Sequence, residues 1–174
     1  MREVLSGFHG KLPSAGDFLT RGLPSGFAAF WDGWAARNLA GRDGWPEGGL
    51  RLRLASGGRV AAGVVLPGAD RVGRRFPLAA FVIAADLPEP GALNPWCDAA
   101  LAVLVAAQAG QAAPDDLADA LEDLPPPGGE APAGPPGGPA MQLWHAGAAP
   151  VACDPAAPGP DLDRLFSCSG SSSP

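Results

Sequence analysis

The chain has 174 residues, of which 47% are hydrophobic and only 17% charged, with a formal net charge of −6. That length suits one domain with a proper core, and an acidic balance disfavours nucleic acid and anionic membrane surfaces as partners. Gly (25) and Pro (21) are so frequent that much of the backbone must lie in turns and connections.

In chain order, Val4 to Leu12 (VLSGFHGKL) reads as a first strand, with glycines that suit a bend or bulge. A dense loop follows, GKLPSAGDFLTRGLP, from Gly10 to Pro24. In SGFAAFWDGWAARNLAG, Phe27, Phe30, Trp31, Trp34 and Leu39 recur near the 3.6-residue period, which predicts a helix with one buried aromatic face. Ser25 is the expected cap and Gly41 the expected stop.

Leu50 to Ala55 (LRLRLA) alternates strictly and predicts a strand with leucines on one face and arginines on the other. Arg59 to Pro67 pairs with it across Ser56-Gly57-Gly58, a hairpin turn by composition. A second charged link, LPGADRVGRRFPL, leads into Phe76 to Ala85, apolar enough for a central strand covered on both faces.

Asn94 as cap and Pro95 as first helical residue predict a helix through Gly110, with Trp96, Ala100, Val103, Leu104 and Ala107 inward. A short acidic helix covers Asp115 to Leu124 and stops at Pro125. Residues 125 to 139, PPPGGEAPAGPPGGP, are expected to form a flexible loop. A strand pair (MQLWHAG and APVAC) and a small helix (PDLDRLF) close the domain.

Hairpin-like links among strands and helices predict an α+β fold, an α/β sandwich with a mixed, mostly antiparallel sheet packed by helices. One domain, residues 1–168, is expected, with 169–174 a disordered tail. Three cysteines, Cys97, Cys153 and Cys168, are too few and too scattered for a disulfide framework, and no metal-ligand spacing accompanies them. The first residues lack a secretory apolar region, and the longest apolar run, Ala99 to Ala107, is far short of a membrane span. A soluble, reduced, cytoplasmic protein without direct membrane insertion is expected.

Chemistry-bearing motifs are weak. Gly10-Lys11 begins like a phosphate loop, but Leu12 replaces the Ser or Thr that would hold magnesium, and Leu5 stands where the first glycine belongs. Asp17 and Asp70 could share acid–base work if brought together, yet aspartates in such turns more often accept backbone N–H bonds. His9 and His145, both assigned to strands, read first as satisfied structural residues. Cys97 near a helix start has a route to a lowered pKa, but its apolar neighbours favour plain burial. No serine lies in a nucleophile elbow. Neither a catalytic residue, a metal nor a cofactor is expected.

What remains is two stiff, charged loops. Lys11, Asp17, Arg21, Asp70, Arg71 and Arg74 are the candidate interaction residues or their internal supports, with Asp17–Arg71 or Asp70–Arg21 as possible pairs. Gly10, Pro13, Gly16, Gly73 and Pro77 are the candidate turn formers, and Gly16 and Gly22 are expected to take unusual backbone angles. A rival use of Lys11, Arg71 and Arg74 is to converge on a phosphate, as in a small-ligand or phosphopeptide sensor.

GFHGKLPSAGDFLTRGLP followed by FWDGW, then GVVLPGADRVGRRFPL, resembles the type VI secretion-associated TagF/ImpM family, and MQLWHAG is similar to a weaker third block in which His145 stands where a second Trp is often found. The likeness runs over Gly7 to Ile83, and loosely over Ala140 to Phe166. A short stretch between Gly41 and Leu50 and the loop at 125–139 depart from it. The resemblance implies a non-enzymatic cytoplasmic accessory protein of a bacterial secretion machine, a post-translational repressor linked to a forkhead-associated (FHA) scaffold protein and to threonine phosphorylation. Some relatives carry a phosphatase domain; this chain has no room for one, so no such activity is expected of it.

Overall fold

The computed structural model describes residues 3–56, 58–129 and 140–167. The expected tail at 169–174, most of the Pro/Gly-rich loop, Gly57 of the hairpin turn and Cys168 lie outside them. Strands β1 (Leu5–Gly10), β2 (Leu19–Arg21), β3 (Leu50–Ser56), β4 (Arg59–Leu66), β5 (Leu78–Ala84), β6 (Met141–Trp144) and β7 (Val151–Cys153) join helices α1 (Ser25–Asn38), α2 (Pro90–Gln108), α3 (Pro114–Glu122) and α4 (Gly159–Ser167). The strands form a seven-stranded sheet in the order β2-β1-β5-β4-β3-β6-β7. Every neighbouring pair is antiparallel. The two edge strands have three residues each, which limits the unpaired backbone offered to other chains.

The sheet separates two cores, and strand alternation assigns side chains to them. Leu78, Ala80 and Val82 of β5 join α2 and α3 on one face. Ala79 and Phe81 face α1 on the other, where Leu50, Leu52 and Leu54 of β3 and Leu162, Leu165 and Phe166 of α4 also pack. All of β5 is buried, as a run apolar on both faces requires. Trp31 and Trp34 stack at 5.3 Å, and Trp31 and Phe27 both pack against Phe81 in T-shaped pairs. The Phe81 ring covers Gly63 on β4, where an added Cβ would come within 2.5 Å of it.

Several local expectations change. Pro24, not Ser25, occupies the cap position of α1, and no side chain caps it; Pro24 C=O accepts the first helical N–H, from Ala28. Phe30, expected on the inner face, is 39% exposed. Helix α2 begins at Pro90, about a turn earlier than predicted, with Pro95 inside it. Pro90 presets the first helical φ, so Asn94 is released from capping. Its side chain instead accepts from Arg51 and Trp144.

The arginine face of β3 is not a solvent face. Arg51 is 1% exposed beneath α2, donating to Asn94 and, at 2.6 Å, to Asp98. Arg53 donates to the carbonyls of Leu87 and Pro88. Helix α2 is long and apolar enough to cross a membrane by length and composition, but Leu93, Trp96, Ala100, Leu104 and Ala107 are buried in the sheet core.

Candidate functional site

The two charged loops meet at the end of the sheet where β1 finishes and β5 begins. The second loop is itself a small hairpin. Ala69 bridges Arg75, Asp70 N–H donates to Arg74 C=O, and Gly73 N–H donates to Asp70 C=O. Gly73 takes a φ of +85° to close that turn, a conformation that disfavours any residue with a Cβ. Phe76 N–H donates to Gly68 C=O at the base.

Asp70 is the hub. Its side chain is wholly buried. Oδ1 accepts the backbone N–H groups of Val72 and Arg74 at 3.0 and 2.9 Å. Oδ2 accepts Lys11 Nζ at 3.0 Å and Arg74 Nε at 2.7 Å. Burial alone would raise its pKa, but the Arg74 N–H, the Lys11 ammonium, the Arg74 guanidinium and the Val72 N–H outweigh that, holding the carboxyl well below its ordinary range. Lys11 is 6% exposed and lies 4.7 Å from the centre of the Phe18 ring, so its charge is met on both sides.

The first loop offers three consecutive carbonyls to the hairpin. Ser14 accepts from Arg71 Nη2, Ala15 from Arg71 N–H and Gly16 from Arg74 Nη2, at 3.0, 2.9 and 2.7 Å. Gly10 lets the loops close, because a Cβ there would sit 2.2 Å from Pro77 C=O and its φ is +146°. Gly16 contributes its carbonyl rather than an unusual angle; among the turn glycines expected to need one, Gly22 does, with φ +76°.

The candidate residues therefore divide. Lys11, Asp70, Arg71 and Arg74 form one interlocked unit. Arg21 is not part of it and pairs with Asp115 of α3 at 3.1 Å. Asp17 accepts from the neighbouring Phe18 N–H at 2.7 Å. The pairs Asp17–Arg71 and Asp70–Arg21 are thus replaced by Asp70–Lys11 and Asp70–Arg74, since short-range hairpin geometry places Arg74 over the carboxylate. Asp17 and Asp70 do not form a dyad. What the unit presents outward is its rim: Val72 is 72% exposed, Phe18 44%, and the Arg74 side chain 61%.

A second polar relay was not legible beforehand. His9, 5% exposed, is bonded through Nε2 to Asp32 of α1 at 2.9 Å and through Nδ1 to Thr20 of β2 at 2.6 Å. The carboxylate can only accept, so Nε2–H donates to it, and Nδ1 shares its hydrogen bond with the Thr20 hydroxyl, which can serve in either direction. The ring lies parallel to Phe18 and edge-on to Phe76. This order of hydroxyl, imidazole and carboxylate also occurs in nucleophilic sites, but here it clamps three elements: β1, β2 and α1. The sequence signal was the Asp in FWDGW, whose place beside His9 only the packing of α1 reveals. His145 follows β6 rather than lying in it.

Cys97 lies in the sheet core. Burial pushes its thiol up to about 12, against the lowering pull of Arg51, so the route to a lowered pKa at a helix start is closed. Among the described residues no group of three or more His, Cys, Asp or Glu side chains is placed to hold a metal ion.

The fold and this site define an α+β domain that holds two interlocked charged loops at one end of its sheet. The model of the TagF N-terminal domain, type VI secretion system-associated, matches residues 7–44 and 50–124, and the chain belongs to that family. Both loops and the FWDGW helix lie inside the matched ranges. The crystal structure of PA0076 from Pseudomonas aeruginosa PAO1 is similar in fold, with a TM-score of 0.58 and 24% identity over 94% of this chain and 76% of that one. No curated protein matches. Family membership supports a regulatory role associated with type VI secretion rather than a catalytic one.

Proposed function

We propose that this protein is a cytoplasmic, non-enzymatic repressor of type VI secretion. It binds an FHA-type scaffold component through the interlocked loop face and withholds it from assembly by mass action. One observation carries this reading: the charges that look reactive in the sequence are consumed internally by Asp70 and the Ser14–Gly16 carbonyls. They leave a stiff rim whose outward groups are Val72, Phe18 and the arginine edges. Rigid loops that carry exposed apolar tips inside a charged surround are suited to recognition with little ordering cost.

The small-ligand or phosphopeptide reading has less support. Of the three cations it needs, Lys11 and Arg74 already share one carboxylate, and Arg71 is engaged on Ser14.

The deciding experiment uses Val72→Asp combined with Arg71→Glu, measured for folding, for binding to the purified scaffold and for secretion in cells. A folded variant that no longer binds and releases secretion is expected. Undiminished binding and repression by the folded variant would remove the loop face from the mechanism.

A further inference from the structure

At the opposite end of the same sheet a large groove opens on the α1 face. Its floor is Leu54, Ala61 and Ile83, its wall Phe27 and Phe30 of α1, and its volume about 520 Å³. Ile83 lies five strand positions beyond Leu78, so the groove sits about 17 Å along β5 from the loop site. Its floor is well buried, Leu54 at 7%, Ala61 at 5% and Ile83 at 4%, whereas Phe30 is 39% exposed on the rim.

Among the described residues one charged side chain lines it. Arg59 opens β4 and by alternation points to the same face as Ala61. Its ion pair is with Glu3, at 3.7 Å and with both side chains more than half exposed; a pair that long and solvated holds the guanidinium weakly. The groove therefore combines a buried apolar floor, a volume within the range of small-molecule sites, and a weakly held cation, Arg59, at the mouth.

We infer that this groove binds a free single-chain amphiphile with a carboxylate head: the acyl chain lies on Leu54, Ala61 and Ile83 under Phe27 and Phe30, and the carboxylate replaces Glu3 on Arg59. Nothing in this inference rests on the loop face, which is built from other residues at the other end of the strands.

The test titrates the full chain with hexanoate, octanoate and decanoate below their micelle concentrations, using calorimetry, with decanol as the neutral-head control. Affinity is expected to rise about fourfold per added methylene, the factor that burying each one carries. Decanol is expected to bind about tenfold more weakly than decanoate, the order of a charge-assisted hydrogen bond at a half-exposed site. Arg59→Gln should raise the decanoate Kd about tenfold and leave decanol unchanged.

Gly26→Leu should abolish binding of both. Gly26 lines the groove, and a Cβ there meets nothing within 4 Å, so a larger side chain can be placed at the groove wall without a clash. Absence of decanoate binding, an affinity independent of chain length, or full binding by Gly26→Leu would overturn the site. Equal binding of decanol and decanoate, or no loss in Arg59→Gln, would overturn the carboxylate assignment and with it the proposal.

Discussion

The two ends of one antiparallel sheet solve opposite problems. At the loop end, nearly every charge has a partner and the backbone is held by hydrogen bonds across two segments more than fifty residues apart, Lys11 to Asp70 and Arg71 to Ser14 among them. At the groove end, apolar side chains from three strands lie under an incomplete cover, with Phe30 half out of it. The first end derives its stiffness from polar saturation, which penalises the loss of a buried partner heavily. The second is held by the surrounding core and has space to spare. Substitutions of the buried groups at the loop end should therefore act mainly on folding, those of its exposed rim on partner binding, and substitutions at the groove end mainly on what the groove holds.

The contrast is broken most directly at Asp70. Asp70→Ala leaves Lys11 buried without its counter-charge and removes the carboxylate that organises the hairpin, so the largest effect is expected there: a fall in Tm of about 10 °C or more by calorimetry. An unchanged Tm would mean that the loops are held by something other than the hub. Gly10→Ala comes next. Its Cβ would lie 2.2 Å from Pro77 C=O at a φ that L-residues avoid, and about 2–3 kcal/mol of destabilisation in urea unfolding is expected.

Asp70 also gives the loop end a pH signature. Its carboxyl titrates lower in the folded protein than in the unfolded chain. Its contribution is thus fully present above the unfolded pKa of about 4 and is lost as pH falls through the folded-state value. The stability gap between the natural chain and Asp70→Asn should hold steady from pH 7 to 5 and narrow below about pH 4. A gap that narrows on the alkaline side would contradict the sign.

The groove end should be far more tolerant. Gly26→Leu replaces a poor helix former in the first turn of α1 and is expected to leave stability unchanged or raise it by up to about 1 kcal/mol. A marked loss would show that the groove is closed in solution. The smallest effect is expected at Val72→Asp, within about 0.5 kcal/mol by chemical denaturation, because the side chain is 72% exposed. That separation of fold from surface is what makes Val72 a clean probe of partner binding.

The sequence by itself determined most of the strands and helices. LRLRLA alternates, FPLAAFVIAA is apolar on both faces, and the aromatic residues before Gly41 recur at the helical period; such patterns depend only on local geometry and burial. It also carried the family resemblance, and with it the two loops as the segments of interest. Tertiary structure alone decided which charges meet. Arg74 rather than Arg21 reaches Asp70 because a hairpin turn folds it back four residues, and Arg21 is drawn to Asp115 by the docking of α3 beside β2. Arg51, apparently on a solvent face, is buried because α2 starts a turn early and brings Asn94 and Asp98 over it. The partnership of His9 with Asp32 and the groove beside Arg59 likewise arise only when α1 lies across the sheet. Side-chain pairing across long sequence separations is set by how elements pack, and no local pattern encodes it.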